Sequence, residues 1–578
     1  MNEVQSHIVT EITNVLSKLG VQNIAPQLSY PKPEEHGDYS TNIAMIVAKQ
    51  LGKNPLELAV KIREGLSKSE YIKKVEVVQP GFINFWLSDN KLVGEIKNVL
   101  LNKERFGTNT LYSGKKVMVE FADPNPFKQI HIGHLRNLCL GECLSRMYEA
   151  LGAEVWRVNY QGDVGMHVAK CLYGLMGLII DENKTLGEKI QILADAYAKG
   201  ATAYETNEQA KKEIQDINTK VYAKDPTVIE MWEKGRKWSL DYFETVYARL
   251  GTKYKRYYFE SQAEGPGKAI VMSHIDDGIF EKDQGAVVFR GEKYGLHTRV
   301  FIANQGYATY EAKDLALAQI KYGEFPYDVS IIMTGAEQSA YFDVILKAIS
   351  LVHPDLGPKT THYSFGMVQL SDRKMSSRTG DVITAEWLLD EAYKKTKTLF
   401  PATDPTTAGI VATGAVKYSM LSYARDSDIN FSFEQSLSLE GNSGPYLQYA
   451  YARIQSVLSK SGDISMVQQA SASLDSANVE GVFNDVLSEA RILEPQEVAV
   501  LRTIHRFPGM VADAGIKFAP HVLCGYLFDL AQKFNAFYEK FPILESDEKD
   551  FRLSLALATG QVLKNGLYLL GIDAPERI

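Results

Sequence analysis

The sequence predicts an α/β protein built around a doubly wound, parallel, Rossmann-type sheet, with an α+β module before it and an all-α bundle after it. Three observations support this fold class: short apolar strands alternate with helical segments mid-chain, a strand–loop–helix turn opens that region, and helical periodicity dominates from about residue 405. A single core stops growing at about 250–300 residues, so 578 residues require several domains. We expect them at residues 1–110, 111–404 and 405–578.

The first 110 residues combine helical and strand-like segments. An opening helix and a proline-rich loop precede residues 37–45, which begin a second helix with Ser40 or Thr41 as its expected cap. Two strand-like runs, Val75–Val78 and Phe82–Leu87, flank Pro80-Gly81. These patterns indicate a compact α+β module.

The middle of the chain changes from strands to helices and back. Val117–Phe121 is a short apolar strand, and a loop rich in proline and asparagine separates it from a helix that starts near His134. Later strands are predicted at Glu154–Asn159, Val329–Met333 and Tyr363–Met367. Residues 181–250 are rich in Ala, Glu, Lys and Gln with helical periodicity, which indicates a helical insertion between the two halves of the sheet.

Net charge, apolar runs and cysteine spacing indicate where the protein is expected to reside, but they do not identify its function. The net charge of −8 neither supports nor excludes an RNA partner, because local basic surfaces decide that question. No apolar run approaches the roughly 20 residues that span a bilayer. The cysteines lack zinc-site spacing and are expected to be reduced and buried: Cys139, Cys143, Cys171 and Cys524. We expect a cytoplasmic monomer with no structural zinc or other resident metal and no membrane contact.

The tetrapeptide His131-Ile132-Gly133-His134 carries the first chemical signal. A strand-to-helix turn presents free backbone N–H groups and a positive dipole end, which suit phosphate binding. Two histidines add side-chain donors, neutral or cationic, and Gly133 removes a side chain where an adenine must approach the backbone. The pattern predicts a site that holds ATP while charge develops on its phosphates.

A second motif, Lys374-Met375-Ser376-Ser377, lies in the second half of the same predicted sheet. On its own it is typical of a surface loop. In this order after the histidine turn, however, it places a mobile lysine where it could reach the triphosphate. Together the two motifs indicate nucleotide activation chemistry.

Residues 119–137 then resemble the signature segment of arginyl-tRNA synthetases, which are class I aminoacyl-tRNA synthetases. Other segments are similar to the same family, at residues 37–45, 80–84, 159–165, 309–316, 374–380, 444–453 and 574–577. The resemblance covers all three regions. It implies that ATP with Mg²⁺, L-arginine and arginine tRNA give arginyl-tRNA, AMP and pyrophosphate, and that adenylate formation waits for tRNA.

The resemblance also assigns site residues. The implied catalytic residues are His131, His134, Lys374 and Lys128. The implied ATP-binding residues are His131, Gly133, His134, Lys374, Ser376 and Ser377. The implied arginine-binding residues are Glu120, Asn125, Tyr310, Asp314 and Gln338. Tyr310 and Asp314 are four apart, so they share a helix face, and a carboxylate there suits a guanidinium; without the resemblance they would read as a surface helix pair.

The sequence departs from the family pattern at several places. Val164 stands where tryptophan is common, and Ser377 stands where the general class I loop has a second lysine. Arg378 keeps a positive charge nearby, but a guanidinium is not a point-like ammonium. Lys128 and Lys374 could therefore share the phosphate charge.

RNA contacts are expected at both ends of the chain. The helical region resembles the family's anticodon-binding bundle, with Tyr446, Tyr449, Ala450, Asn535 and Tyr538 as candidate contacts; tyrosines at helical spacing are equally typical of packing. The amino-terminal module is similar to the domain that reads the tRNA elbow, and there Phe82 and Asn84 are the candidates.

Two other functions fit part of the pattern. A synthetase-like RNA-binding protein without catalysis would need damaged motifs, but His131, His134 and Lys374 are all present. A cysteine-specific class I enzyme has a similar helical tail but needs a cysteine-rich zinc pocket, which this sequence lacks.

Overall fold

The computed structural model describes residues 3–31, 34–371, 383–461 and 491–578. The amino-terminal module contains four helices: α1 (Glu3–Lys18), α2 (Ile43–Leu51), α3 (Pro55–Gly65) and α4 (Asp89–Asn102). They accompany an antiparallel sheet in the order β1-β3-β2, formed by β1 (Tyr39–Thr41), β2 (Ile72–Val78) and β3 (Phe82–Leu87). The predicted helix caps Ser40 and Thr41 are wrong, because both residues pair with β3 and Asn42 occupies the N-cap of α2.

Five parallel strands form the central sheet, in the order β11-β10-β4-β5-β6. They are β4 (Lys116–Glu120), β5 (Glu154–Gln161), β6 (Arg256–Phe259), β10 (Val329–Gly335) and β11 (Thr360–Phe365). The first strand therefore lies in the middle, and the chain runs outward to one side and then to the other. This is the doubly wound topology that the alternating pattern predicted, and its switch point lies between β4 and β10.

Helices surround this sheet. α5 (Ile132–Ala150) follows β4, and α10 (Glu260–Ser273), α11 (Tyr310–Glu324) and α12 (Ser339–Val352) follow later strands. Between β5 and β6 lie the helices α6 (Met166–Leu175), α7 (Leu186–Thr206), α8 (Glu208–Ala223) and α9 (Pro226–Arg249). The predicted insertion at 181–250 is thus helical.

Two small sheets were not predicted. β7 (Glu281–Asp283), β8 (Ala286–Phe289) and β9 (Arg299–Ile302) form an antiparallel sheet before α11. β12 (Val368–Leu370) pairs in parallel with β13 (Ile429–Phe431). β12 is therefore paired with a strand that lies beyond residue 405 in the chain.

The described residues of the carboxy-terminal region otherwise form helices and their connections. Its described helices are α13 (Ala385–Leu399), α14 (Pro405–Leu421), α15 (Phe433–Ser436), α16 (Gly444–Lys460), α17 (Pro495–Ile516), α18 (Pro520–Lys540) and α19 (Lys549–Leu569). Within the described ranges no helix is long and apolar enough to cross a membrane. All four cysteines are free and buried, as expected.

A buried contact joins the amino-terminal module to α17. The Tyr39 hydroxyl lies 2.7 Å from Nε2 of His505, and Nδ1 of His505 lies 3.0 Å from the Glu95 carboxylate. Arg502 pairs with Asp38 at 3.1 Å. The Gly37–Met45 segment, which resembles the family, therefore packs its first residues against the helical region.

Candidate functional site

A cleft of about 1460 Å³ opens at the carboxyl ends of β4 and β10, at the switch point of the sheet. Its walls are the loop after β4, the start of α5, one face of α11 and the residues after β10. Ligands of doubly wound sheets bind at this position, because adjacent loops diverge there and leave a crevice. The sequence-predicted residues of the described chain from the first motif and the arginine set all line this cleft.

His131 and His134 cap helix α5 reciprocally. Nδ1 of His131 accepts hydrogen bonds from the backbone N–H of Gly133 at 3.1 Å and of His134 at 3.4 Å. Nδ1 of His134 accepts from the backbone N–H of His131 at 3.2 Å. A nitrogen that accepts carries no proton, so each ring is neutral and holds its proton on Nε2.

The pKa shifts of the two histidines agree with neutral rings. Burial, and then the charge of Lys128, lower the pKa of His131 to about 4. Burial also holds the pKa of His134 well below its usual value, and the adjoining His131 adds to this effect. The two rings stack with centroids 3.7 Å apart. Of the two states that the sequence left open, the histidines are therefore neutral Nε2–H donors and not cations.

The backbone around the motif is tightly constrained. A Cβ on Gly133 would lie 3.0 Å from Cε1 of His131, so the glycine lets the His131 ring fold back over the turn. Ala122, Asp123 and Phe127 in the preceding loop all adopt positive φ angles, of 74°, 47° and 68°. Non-glycine residues pay a strain cost in this region, and such strain concentrates at functional sites.

Lys128 supplies a positive charge at the cleft. Its ammonium lies 5.1 Å from the ring centroid of Tyr197 on α7, and no ion pair is found for it among the described residues. An ammonium that faces an aromatic ring and open space can meet an incoming phosphate without first breaking a salt bridge.

Carboxylates also line this cleft. Asp314 lies on α11 and accepts a hydrogen bond of 2.6 Å from the hydroxyl of Tyr341. Burial, partly offset by that bond, raises the pKa of Asp314 to about 7. Burial and the charge of Glu120 raise the pKa of Asp123 well above its usual value, although the Tyr160 N–H donates to it at 2.8 Å. The raised pKa values follow from burying carboxyl groups close to one another.

Glu120 already has an internal partner. The ammonium of Lys321, also on α11, forms a close ion pair with its carboxylate, and both residues are only 2–3% exposed. Tyr310, Asp314 and Lys321 line the cleft from one stripe of the helix. The pocket therefore keeps one carboxylate compensated and leaves Asp314 and Asp123 for a cationic ligand.

The other predicted arginine residues complete the walls. Tyr310 starts α11, is 53% exposed, and directs its hydroxyl toward the backbone at Gly165. Asn125 accepts from the Gly162 N–H at 3.2 Å. Gln338 ends a short 3₁₀ turn after β10 and is exposed at the cleft.

The Gly162-Asp163-Val164-Gly165 segment anchors the insertion. Asp163 is fully buried and accepts from the backbone N–H and the hydroxyl of Ser261, at 2.9 and 2.8 Å. Arg236 of α9 pairs with it at 3.0 Å. Val164, the departure from the family's tryptophan, is buried in the core.

Arg136, two residues after His134, is buried without a carboxylate partner among the described residues. Its guanidinium donates to the carbonyls of Gly366 at 2.6 Å, Ser427 at 2.9 Å and Arg425 at 3.0 Å. Burial lowers its pKa to about 10. The arginine thus ties the histidine helix to the segments that lead into both β12 and β13.

The second motif, with Lys374, Ser376, Ser377 and Arg378, lies outside the described residues. The structure therefore tests neither the lysine nor the serines.

The predicted RNA residues differ in exposure. On β3, Phe82 is 38% exposed, whereas Asn84 is 3% exposed and its Oδ1 accepts from the Ser40 hydroxyl at 2.7 Å. In the helical region Ala450 is fully buried. Phe82 therefore presents a free surface, and Asn84 and Ala450 do not in this conformation.

A cluster in the helical region surrounds Arg453. Its guanidinium lies 5.0 Å from the Tyr449 ring and 5.5 Å from the Tyr538 ring, and it donates to Asn535 at 3.2 Å. Asn535 in turn donates to the Tyr446 hydroxyl at 2.9 Å. A second cleft, of about 1260 Å³, is lined by Tyr449, Arg453 and Tyr538 together with the last residues of the chain. Four of the five predicted anticodon residues thus form one hydrogen-bonded and stacked group.

Comparison with known proteins defines the class first. Residues 95–433 match the family described as tRNA synthetases class I (R), catalytic domain. Residues 3–87 match the arginyl tRNA synthetase N terminal domain, and residues 447–578 match the DALR anticodon binding domain. Fold and cleft are therefore those of a class I aminoacyl-tRNA synthetase.

Individual relatives specify the branch of this class. An arginine–tRNA ligase of Fusobacterium nucleatum is 32% identical over 97% of this chain and 98% of its own length. One from Shewanella baltica is 32% identical over 99% of this chain and 100% of its own length. The chain belongs to the arginyl-tRNA synthetase family. The solved arginyl-tRNA synthetase of Thermus thermophilus has a TM-score of 0.80 at 25% identity and covers 99% of this chain and 100% of its own.

Several residues that line the two clefts were not predicted from the sequence. Asp123 lies inside the signature segment, but its local sequence is that of an ordinary loop. Tyr341 and Lys321 carry no local signal, because their roles depend on which strand or helix they face. Arg453 stood inside a matched segment, and its position one turn after Tyr449 could have suggested the stacked pair.

Proposed function

We propose that this chain joins L-arginine to the 3′ end of arginine tRNA at the expense of ATP, and that it activates arginine only when tRNA is bound. Membership of the family supports the overall ligase reaction. The observation that carries the site assignment is a pair of neutral Nε2–H histidine donors that line the same cleft as buried carboxylates.

Each wall of the cleft then has a role. We assign the nucleotide to the side of His131, Gly133 and His134, with Lys128 on its phosphates. Lys374, Ser376 and Ser377 remain proposed partners of the triphosphate. The substrate carboxylate attacks the α-phosphorus and pyrophosphate leaves. Donors fixed before the reaction stabilise the added phosphate charge without reorganising.

Arginine fits the carboxylate-lined part of the cleft by charge. Asp314 receives the guanidinium, Tyr310 covers it, and Glu120 contributes negative charge that Lys321 holds in place. Asn125 and Gln338 are assigned to the α-amino end. A neutral competitor would leave the buried carboxylates unpaired, and polar sites reject such ligands strongly.

Magnesium is assigned to the phosphates of ATP and not to a protein cage. In the part of the chain that the structure describes, no cluster of three or more His, Cys, Asp or Glu side chains could hold a metal ion. The nucleotide would bring the ion as its own counter-charge.

RNA binding is assigned to two surfaces. Phe82 on the amino-terminal module is the proposed elbow contact, and Asn84 supports it from below. Tyr446, Tyr449, Asn535 and Tyr538 are proposed anticodon contacts. Ala450, being buried, acts through packing of α16.

We propose that the domains span residues 1–110, 111–404 and 405–578 and that the protein is a cytoplasmic monomer. Light scattering tests the oligomeric state, since a monomer has the chain mass of 64.6 kDa.

Pyrophosphate exchange tests the proposal directly. The enzyme is given ATP, labelled pyrophosphate and each amino acid in turn, with and without arginine tRNA. Of the amino acids tested, we expect only arginine to support exchange, and only when arginine tRNA is present. Exchange without tRNA would remove the tRNA requirement but leave the ligase, whereas charging of another amino acid would overturn the substrate assignment.

A further inference from the structure

A buried lysine lies beside the proposed arginine pocket without belonging to it. Lys313 of α11 is 3% exposed. Its ammonium lies 3.1 Å from a carboxylate oxygen of Glu260, the first residue of α10, and 3.1 Å from the hydroxyl of Tyr222 in the last turn of α8. Three separate helices thus meet at one ammonium group.

This group touches the pocket on two sides. The Lys313 ammonium lies 5.2 Å from the ring centroid of Tyr310. At Gly162, an added Cβ would lie 3.1 Å from Oε1 of Glu260 and 2.4 Å from Oδ1 of Asn125. The Lys313–Glu260 pair is therefore wedged between two residues proposed to hold arginine.

Charge explains why the pair must stay together. Arginine brings a guanidinium and an α-ammonium, and an uncompensated ammonium next to its pocket would repel both. Glu260 cancels that charge at hydrogen-bond distance while Lys313 keeps Glu260 from standing alone in a buried site. Together the two side chains carry no net charge beside the substrate, whereas either one alone would present an uncompensated charge.

Tyr222 connects this pair to the helical insertion. Its half-buried ring stacks on Tyr307, with centroids 6.0 Å apart and an interplanar angle of 3°. Tyr307 precedes Tyr310 by three residues. The sequence suggested no role for the insertion. In the structure, Tyr222 of the insertion contacts Lys313 of α11 and also Tyr307, in the segment before α11.

We propose that Lys313 is a positioning residue of the arginine pocket, that Glu260 screens it from the cationic substrate, and that Tyr222 lets the helical insertion set its place. This rests on the proposed function, since it takes arginine as the ligand. It assigns the insertion a part in amino-acid binding.

A double-mutant cycle that removes each charge in turn tests the screening. Steady-state charging assays on Glu260→Gln, Lys313→Met and the double variant give kcat and the KM of arginine, ATP and tRNA. We expect Glu260→Gln to raise arginine KM about 30-fold with ATP KM nearly unchanged, because it exposes a positive charge. Lys313→Met should raise arginine KM much less, and the double variant should return to within about 5-fold of the parent.

The opposite pattern overturns the proposal. If the double variant is as weak as Glu260→Gln or weaker, the pair matters only for packing. If Glu260→Gln does not fold, the double variant and Tyr222→Phe still decide the matter. A parent enzyme that fails to charge tRNA with arginine at all would instead defeat the proposed function.

Tyr222→Phe isolates the link to the insertion, because it removes one hydroxyl and keeps the ring. We expect a rise of about 10-fold in arginine KM, with the melting temperature and ATP KM near the parent values. Tyr204→Phe is the matched control, since Tyr204 lies in α7 of the same insertion with its ring against Lys170 and Lys211. Equal arginine KM in both variants and the parent would refute the link.

Discussion

Tyr341→Phe offers a quantitative test of the proposed arginine pocket. The hydroxyl of Tyr341 donates to Asp314 at 2.6 Å, and this bond is one of the effects that lower the pKa of Asp314 against burial. Hydrogen bonds to charged groups contribute about 1.5–3 kcal/mol. Since 1.36 kcal/mol is tenfold, loss of the hydroxyl should weaken arginine binding by about 10- to 150-fold near pH 7.

The pH dependence distinguishes charge from shape. Burial raises the pKa of Asp314 to about 7 in the free enzyme, and removing the donor moves it higher. A protonated Asp314 cannot pair with a guanidinium, so arginine KM should fall as the pH rises from 6.5 to 8.5. The fall should be larger in Tyr341→Phe, because more of its Asp314 is protonated at the lower pH.

Stability should follow the same linkage. A carboxyl whose folded pKa is raised stabilises the fold below its unfolded pKa, and this contribution is lost as the pH rises through about 7. Arginine, which favours the ionised form, should therefore raise the melting temperature more at pH 8.5 than at pH 6.5.

Charging kinetics at the two pH values provide the assay, with ATP KM as an internal reference. Tyr322→Phe is the control, since Tyr322 lies on α11 and its hydroxyl accepts from Lys359 away from the cleft. An arginine KM in Tyr341→Phe that equals the parent at both pH values, or that changes equally at both, would refute the proposed role of Asp314.

Three further changes test other parts of the site. His134→Asn keeps an acceptor that can cap His131 but loses the Nε2 donor, so kcat should fall about 100-fold with little change in melting temperature or tRNA affinity; equal loss of kcat and tRNA binding would contradict this. Arg136→Met leaves several buried carbonyls without a donor and should destabilise the fold by about 3 kcal/mol or more in urea unfolding. An unchanged midpoint would show that water replaces it. Arg453→Gln frees the rings of Tyr449 and Tyr538, and we expect a rise of about 10-fold in tRNA KM with arginine KM unchanged; a change in arginine KM alone would argue against an RNA role.

Local signals account for what the sequence predicted well. The strands at 117–121 and 329–333 are short, mostly apolar runs, and the strand at 154–159 mixes Val and Trp with polar residues, so each is visible without its partner strands. The histidine turn was equally predictable, because a helix N-terminus after a strand is a local event. The parallel, doubly wound character of the sheet followed from strand–helix alternation, whereas the order of its strands comes from the structure.

What remained unpredictable depends on contacts between distant residues. Tyr341 meets Asp314 only because two helices approach across the cleft, and Lys321 neutralises Glu120 only because β4 lies in the middle of the sheet. The N-cap of α2, Asn42, was not predicted because Ser40 and Thr41 belong to strand β1, which pairs with β3. The sheet of β7 to β9 was missed because its strands are three or four residues long.

The buried Tyr39–His505–Glu95 contact has a consequence for how a long RNA is engaged. It fixes the amino-terminal module on α17, so the proposed elbow and anticodon surfaces are held at a set spacing before any ligand arrives. Rigid partners lose less conformational entropy on association than hinged ones. A tRNA whose arms match that spacing would bind both surfaces without any entropy cost for ordering the two protein domains relative to each other. An RNA of another length could contact only one of the two surfaces. In this way the junction can select by molecular dimension before any base is read.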